Sequence, residues 1–299
     1  LEDVAFTAPY KIMNPFPKKD GGISVMPLCA SAGIMEGDRQ EFDFSVTEGT
    51  NLEFLSQSFD KVHKMKEGKA VRHVKAQVEK NAVFYYYPQP VIPYAQSAFE
   101  STMEFDLADK SSGLFLLEII SCGRKASDER FQYRKFASRV NIRRAGRLIY
   151  RDNTRYEPDK MDMEGLGMYE GYTHMANIFL SGPVCDMQEK IWEVLENEKE
   201  CAGGVTQLVH GDLAVRILGH RAQKLQETAE EIKAIFEEVN NNVKNTIEDS
   251  FSNIELYMKN YFNEKKNNEI MRRNIKAVET FVILKEIFKR NEIQWALLD

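Results

Sequence analysis

Phe105-Asp-Leu-Ala-Asp-Lys-Ser-Ser-Gly-Leu114-Phe-Leu116 reads as an alternating strand, a short polar turn and a second alternating strand. The same unit recurs about every 30 residues between Phe42 and Pro158. It is seen in Phe44-Ser-Val-Thr-Glu-Gly-Thr-Asn-Leu52-Glu-Phe54, in Ala76-Gln-Val-Glu-Lys-Asn-Ala-Val-Phe84-Tyr-Tyr86 and in Val140-Asn-Ile-Arg-Arg-Ala-Gly-Arg-Leu148-Ile-Tyr150. A unit of this size cannot bury its apolar face alone, so repetition implies stacking. The expected fold is mainly β, with stacked, β-helix-like or solenoid-like strands and a few helices.

The core-facing anchors of the second strands are then Leu52, Phe84, Leu114 and Leu148. Side chains two apart share a face, so Phe54, Tyr86, Leu116 and Tyr150 follow them inward, and after those Ser56, Pro88, Glu118 and Asp152. Stacked side by side, Glu118 and Asp152 would share one column on strands roughly 5 Å apart. Two inward carboxylates are costly unless hydrated, paired or facing a cation, which points to an internal polar passage or a cation site. A bulge or an early strand end would instead turn both into solvent.

Away from the repeat the chain is punctuated by proline and glycine. Pro9, Pro15 and Pro17 keep the start extended, Ile23 to Leu28 reads as a strand, and Gly33 to Asp38 as a tight loop. His174 to Leu180 is another strand. Asp186 to Glu200 is an amphipathic helix through Met187, Ile191, Val194 and Leu195, ended by Gly203-Gly204. Val205 to Leu218 is a strand pair turning at His210-Gly211-Asp212. A helix follows from Ala222 with a stripe of Leu225, Ala229, Ile232, Phe236 and Val239, interrupted at Asn240-Asn241-Asn242. The division expected is a β-rich domain over 1–243 and a helical C-terminal extension over 244–299.

Composition excludes several classes. A net charge of −6 argues against a nucleic-acid binder, and no run approaches 18 apolar residues, so no membrane-spanning helix is expected. The opening at Leu1, without a basic and apolar leader, reads as a trimmed start rather than a signal peptide. Cys29, Cys122, Cys185 and Cys201 are too scattered for a zinc motif and read as free thiols in a reducing compartment. There is no phosphate loop, GxSxG or HExxH. Ser58, Asp60 and His63 are close in sequence but fail as a triad, because Asp60 and His63 would point to opposite faces of a strand. The enzyme alternative is a two-carboxylate hydrolase using Glu118 and Asp152 in an open groove. A further alternative is a structural β-solenoid adaptor.

Several stretches, in order, resemble the urease accessory protein UreD family, called UreH in some bacteria. They are Pro9-Tyr-Lys-Ile-Met-Asn-Pro-Phe16, Ala32-Gly33-Ile-Met-Glu-Gly-Asp38, Ser56-Gln-Ser-Phe-Asp-Lys-Val-His63, Pro88-Gln-Pro-Val-Ile-Pro93, Glu118-Ile-Ile-Ser-Cys-Gly-Arg124 and Tyr150-Arg-Asp152-Asn-Thr154. The resemblance covers about Phe6 to Val239. It implies a cytoplasmic, non-enzymatic maturation chaperone that binds apo-urease and a UreF-like protein, and through UreF a UreG-like GTPase that delivers nickel. It also implies an internal tunnel for nickel, or for carbon dioxide, with Ser56 beside it and Asp38, Asp60, Glu118 and Asp152 as its acids. No cofactor is bound tightly in that reading, and nickel is transient cargo.

Overall fold

In a computed structural model of the chain, residues 1–19, 21–184 and 187–241 are described. Leu1–Asn240 forms one compact unit. The helical extension expected over 244–299, Cys185, and Asp186 at the start of the first helix lie outside the described residues.

The chain begins with four short strands, β1 (Tyr10–Ile12), β2 (Phe16–Pro17), β3 (Ile23–Val25) and β4 (Pro27–Cys29). The single strand expected over Ile23 to Leu28 is thus two, broken ahead of Pro27. The first repeat unit is β5 (Arg39–Val46) and β6 (Asn51–Leu55), followed by β7 (Asp60–Val62). The second is β8 (Ala70–Val78) and β9 (Val83–Tyr87), followed by β10 (Val91–Pro93), and the third is β11 (Ala98–Leu107) and β12 (Gly113–Ser121). The fourth is β13 (Lys135–Arg144) and β14 (Arg147–Tyr156). Then come β15 (His174–Ser181), α1 (Met187–Asn197), β16 (Cys201–Gln207), β17 (Leu213–Gly219) and a helix, α2, over residues 222–241.

The first three units stack as a solenoid. Their first strands lie parallel in a five-stranded sheet of order β14-β13-β11-β8-β5, and their second strands lie parallel in a ten-stranded sheet. The corner between the two strands turns through a left-handed residue in the first two units, Gly49 (φ 73°) and Asn81 (φ 56°). The third corner is held instead by Asp109, whose Oδ1 accepts from the backbone N–H and the hydroxyl of Ser111 at 2.8 and 2.6 Å.

Three of the four anchors stack as expected: Leu52 pairs with Phe84, and Phe84 with Leu114. Leu148 does not. The fourth unit folds back as an antiparallel hairpin inside the five-stranded sheet, so β14 never crosses to the second sheet, and Leu148 is 39% exposed. A register shift at Ile142/Arg143 marks the change, and Ile142, not Val140, pairs with Phe105. The repeat therefore ends at Ser121, and β15, β17 and β16 extend the larger sheet antiparallel.

Two apolar layers result. On one face of the ten-stranded sheet, Tyr85, Leu117, Ile178, Val215 and their neighbours pack under α1 and α2 through Ile191, Leu225, Ile232 and Phe236. On the other face the two sheets meet. Gly203 and Gly204 lie inside β16 rather than ending α1. A Cβ on Gly203 would come within 3.0 Å of Leu195 and 3.1 Å of the Arg216 carbonyl, so glycine there lets the helix sit on the strand. Nor does the asparagine run break α2 at its start. Asn240 is buried in the helix and donates from Nδ2 to the Phe236 carbonyl at 2.7 Å.

Candidate functional site: a polar row between two sheets

Between the sheets, the core divides into two apolar clusters. One contains Phe54, Val74, Phe84, Met103, Phe105, Leu116 and Val140, and the other Ala70, Phe99, Ile120, Phe136 and Met175. What separates them is one transverse row of polar side chains. In the five-stranded sheet the backbone register places Gln40 beside Arg72, Arg72 beside Ser101, Ser101 beside Ser138, and Ser138 beside Thr154. Opposite, in the larger sheet, Glu118 pairs with Asn177 and Asn177 with Arg216. Arg72, Ser101, Ser138, Glu118, Asn177 and Arg216 are each bracketed by apolar residues two positions away on their own strands, as Ser101 is by Phe99 and Met103. Five strands at about 4.8 Å spacing make the row roughly 20 Å long.

At the β5 end the row opens into a cavity of about 40 Å3, large enough for ordered water, lined by Tyr10, Ser56, Asp60, Arg72 and Tyr86 among others. Arg72 is the hub. Its guanidinium pairs with Asp60 Oδ2 at 2.7 Å and donates from Nε to Gln40 Oε1 at 2.9 Å, and Gln40 Nε2 donates to the Tyr10 hydroxyl at 2.6 Å. The rings of Phe99 and Phe42 flank it at 5.3 and 5.8 Å. Burial opposes the Arg72 charge, but Asp60 and the neighbouring Tyr86 and Tyr10 more than offset it, holding its pKa above the usual arginine value. Ser56 Oγ accepts from the Gln89 N–H at 2.7 Å.

Glu118 sits in the middle. It is 8% exposed, and its Oε1 accepts from Ser138 Oγ at 2.7 Å. Burial pushes its pKa up to about 7; Ser138 opposes the rise, the Asp152 charge adds to it, and Arg72 opposes it. Within the row, the buried atoms Ser101 Oγ, on the Arg72 side of Ser138, and Asn177 Nδ2 have no hydrogen-bond partner. At the far end Arg216 bridges outward, donating from Nε to Asn177 Oδ1 at 2.8 Å and pairing with Asp152 Oδ2 at 3.3 Å.

The row gathers most of the residues expected from sequence, in a different geometry. Glu118 and Asp152 do face the same interior, but from opposite sheets rather than from neighbouring strands, because β14 stayed in the smaller sheet. Asp60 and Ser56 line the cavity at the opening. Asp38 does not join them; its Oδ2 accepts from the Met35 N–H at 2.7 Å and closes the tight turn, and its charge adds slightly to the rise that burial imposes on the Tyr10 phenol. Glu118 lies buried between the two sheets, which is not the open groove a hydrolase would need. Arg72, Ser101, Ser138, Asn177 and Arg216 were missed. Counting back four residues from the paired Phe44, Ala76, Phe105 and Ile142 gives Gln40, Arg72, Ser101 and Ser138, so the signal was present in the first strands of the units.

Among the described residues no three His, Cys, Asp or Glu side chains cluster as a metal site, Cys29, Cys122 and Cys201 are free thiols, and no helix is long and apolar enough to cross a membrane. The row thus offers separated oxygen donors rather than a closed coordination sphere.

The sequence profile of the family described as UreD urease accessory protein matches residues 1–246. The chain belongs to the UreD urease accessory protein family. It is similar to the urease accessory protein UreD of Acetivibrio thermocellus, with 34% identity over 238 residues, covering 79% of this chain and 90% of that protein. It is similar also to the urease accessory protein UreH of Helicobacter acinonychis, with 33% identity over 78% of this chain and 87% of the relative. UreD of Flavobacterium johnsoniae matches at 30% identity over 85% of this chain and 93% of its own length. The UreD match spans the whole of the sandwich, so the polar row lies within the family's domain.

Proposed function

We propose that this UreD-family chain is a non-catalytic scaffold whose polar row passes nickel toward apo-urease during GTP-dependent maturation in the cytoplasm. The observation that carries the reading is the transverse row itself. A β-sandwich gains nothing in stability from placing Arg72, Ser101, Glu118, Ser138 and Asn177 across its core, since burying polar groups costs free energy that their hydrogen bonds only partly recover. Carboxylate, hydroxyl and amide oxygens are acceptable to a hydrated divalent cation. Spread singly along roughly 20 Å, as five strands at sheet spacing require, they hold it too weakly to trap it.

In this reading Asp60 and Ser56 receive the ion at the cavity, Glu118 and Ser138 pass it through the centre, and Asp152 meets it at the far edge. Asp38 serves the opening by shaping its turn. The partners are apo-urease, a UreF-like protein and, through it, a UreG-like GTPase; the cargo is nickel, with carbon dioxide as a second candidate.

Co-expression of the chain with apo-urease and a UreF-like protein, followed by affinity purification, tests the assembly. Joint recovery is expected, and a folded chain that recovers neither partner would overturn the scaffold role. Glu118→Ala combined with Asp152→Ala is then expected to lower the nickel content of the recovered urease while leaving partner recovery intact.

A further inference from the structure

The two sheets are not the same width. β14 ends the five-stranded sheet, and among the described residues it pairs with β13 alone, so one side of its ten-residue backbone is unpaired. Beneath it the larger sheet continues. Tyr150 of β14 lies over Phe179 of β15 at 4.8 Å between rings, and only the long Arg216 of β17 reaches back to Asp152. β16 lies further out still. The inner face of that ledge, Ala202, Gly204 and Thr206 of β16, is uncovered: Ala202 and Thr206 are exposed, and a Cβ on Gly204 would meet nothing within 4 Å. The outer face beside the open edge is basic. Arg139 and Arg143 of β13 and Arg151 and Arg155 of β14 point away from the core, in a chain whose net charge is −6. Arg155 pairs with Glu157, Arg151 donates to Asn141 Oδ1, and neither Arg139 nor Arg143 has an ion-pair partner among the described residues.

From the open edge, the uncovered ledge and the basic flank, we infer that β14 is a docking edge for an extended, acidic segment of a partner protein, which adds to the sheet as a sixth strand. The backbone edge supplies N–H and C=O partners, the usual basis of strand addition. Alternation then dictates the guest's chemistry. Side chains on one side of it must be apolar or small to rest on Ala214 and Leu218 of β17, around the Arg216 stem, with Ala202, Gly204 and Thr206 of β16 beside them. Those on the other side, at every second position, fall beside Arg151 and Arg155, where carboxylates are favoured. The inference goes beyond the conduit reading and stands whether or not the row carries ions. If it does, the docked strand lies next to Asp152 and Arg216, at the row's far end.

The probe is a fluorescent, end-capped eight-residue peptide of alternating glutamate and valine, titrated by anisotropy into the full chain. Binding is expected, weakened by added salt. It should be lost when alternate amides are N-methylated, because the edge bonds cannot then form. Arg151→Glu with Arg155→Glu should weaken it at least about tenfold. Gly204→Phe, whose Cβ would meet nothing within 4 Å and which leaves the arginines in place, should also abolish binding by filling the ledge. Equal binding of a lysine-valine peptide, undiminished binding to Gly204→Phe, or no binding at millimolar chain would each overturn the inference.

Discussion

The two faces of the ten-stranded sheet are built from the same strands and differ in one respect. Toward the helices, Leu117, Ile119, Ile178 and Val215 form an unbroken apolar layer with α1 and α2. Toward the other sheet, Glu118, Asn177 and Arg216, set between apolar residues such as Leu116 and Ile120, break the apolar layer in the middle. The first face shows what this chain does when only packing is at stake. The second carries polar residues in register on three strands, facing the five-strand polar line of the smaller sheet, an arrangement too ordered to be a lapse in patterning.

Ile178→Ala gives the comparison its largest expected effect. Ile178 is 2% exposed in the helix-facing layer, and its truncation should cost about 2–5 kcal/mol in urea unfolding. A loss under 1 kcal/mol would mean that the helices do not close that layer.

Glu118→Gln comes next, and its effect depends on pH. The folded carboxyl has its pKa raised to about 7, above the unfolded value, so the folded state prefers the protonated form. Its stability relative to the unfolded chain is greatest below the unfolded carboxylate pKa and falls as pH rises toward about 7, after which the deficit is constant. The glutamine keeps an acceptor for Ser138 without ionising. It should therefore be more stable than the parent at pH 8, by at most about 3 kcal/mol, and nearly equal to it at pH 4. A difference independent of pH would mean that Glu118 ionises as it would in water.

Ser101→Ala should change stability by less than about 1 kcal/mol, because the hydroxyl it removes has no partner. In the conduit reading it still lowers nickel incorporation. Arg216→Gln is expected to be smaller again, at most about 1 kcal/mol, since its side chain is 57% exposed and its pair with Asp152 is screened. A large loss there would make Arg216 a clamp on the sandwich rather than an edge residue.

Much of this fold was readable from alternation. Strand content, the 30-residue stacking, the Leu52–Phe84–Leu114 column and the two helices all follow from local periodicity and turn chemistry, which depend on near neighbours. The end of the repeat did not. Val140 to Tyr150 has the alternation of the earlier units, and whether its second strand crosses to the other sheet or folds back is settled by the bulge at Ile142/Arg143 and by what β15 leaves free to pair. That single choice moved Leu148 to the surface and set Asp152 opposite Glu118 instead of beside it. The site was half readable for the same reason. Counting forward from the anchors found Glu118 and Ser56, while the first strands, where Arg72, Ser101 and Ser138 lie, carry the same break and were not counted back. Arg216 and Asn177 come from strands outside the repeat, and only the tertiary register brings them to the row.

The central claim is that the polar row conducts, and its most direct test is the nickel content of urease matured with a chain whose row is plugged. Ser138→Leu places an apolar side chain against Glu118, between the cavity at the β5 end and Asp152 on β14. The account predicts that the variant folds, recovers apo-urease and the UreF-like protein as the parent does, and yields urease depleted of nickel. Urease with its full nickel complement from that intact complex would contradict it.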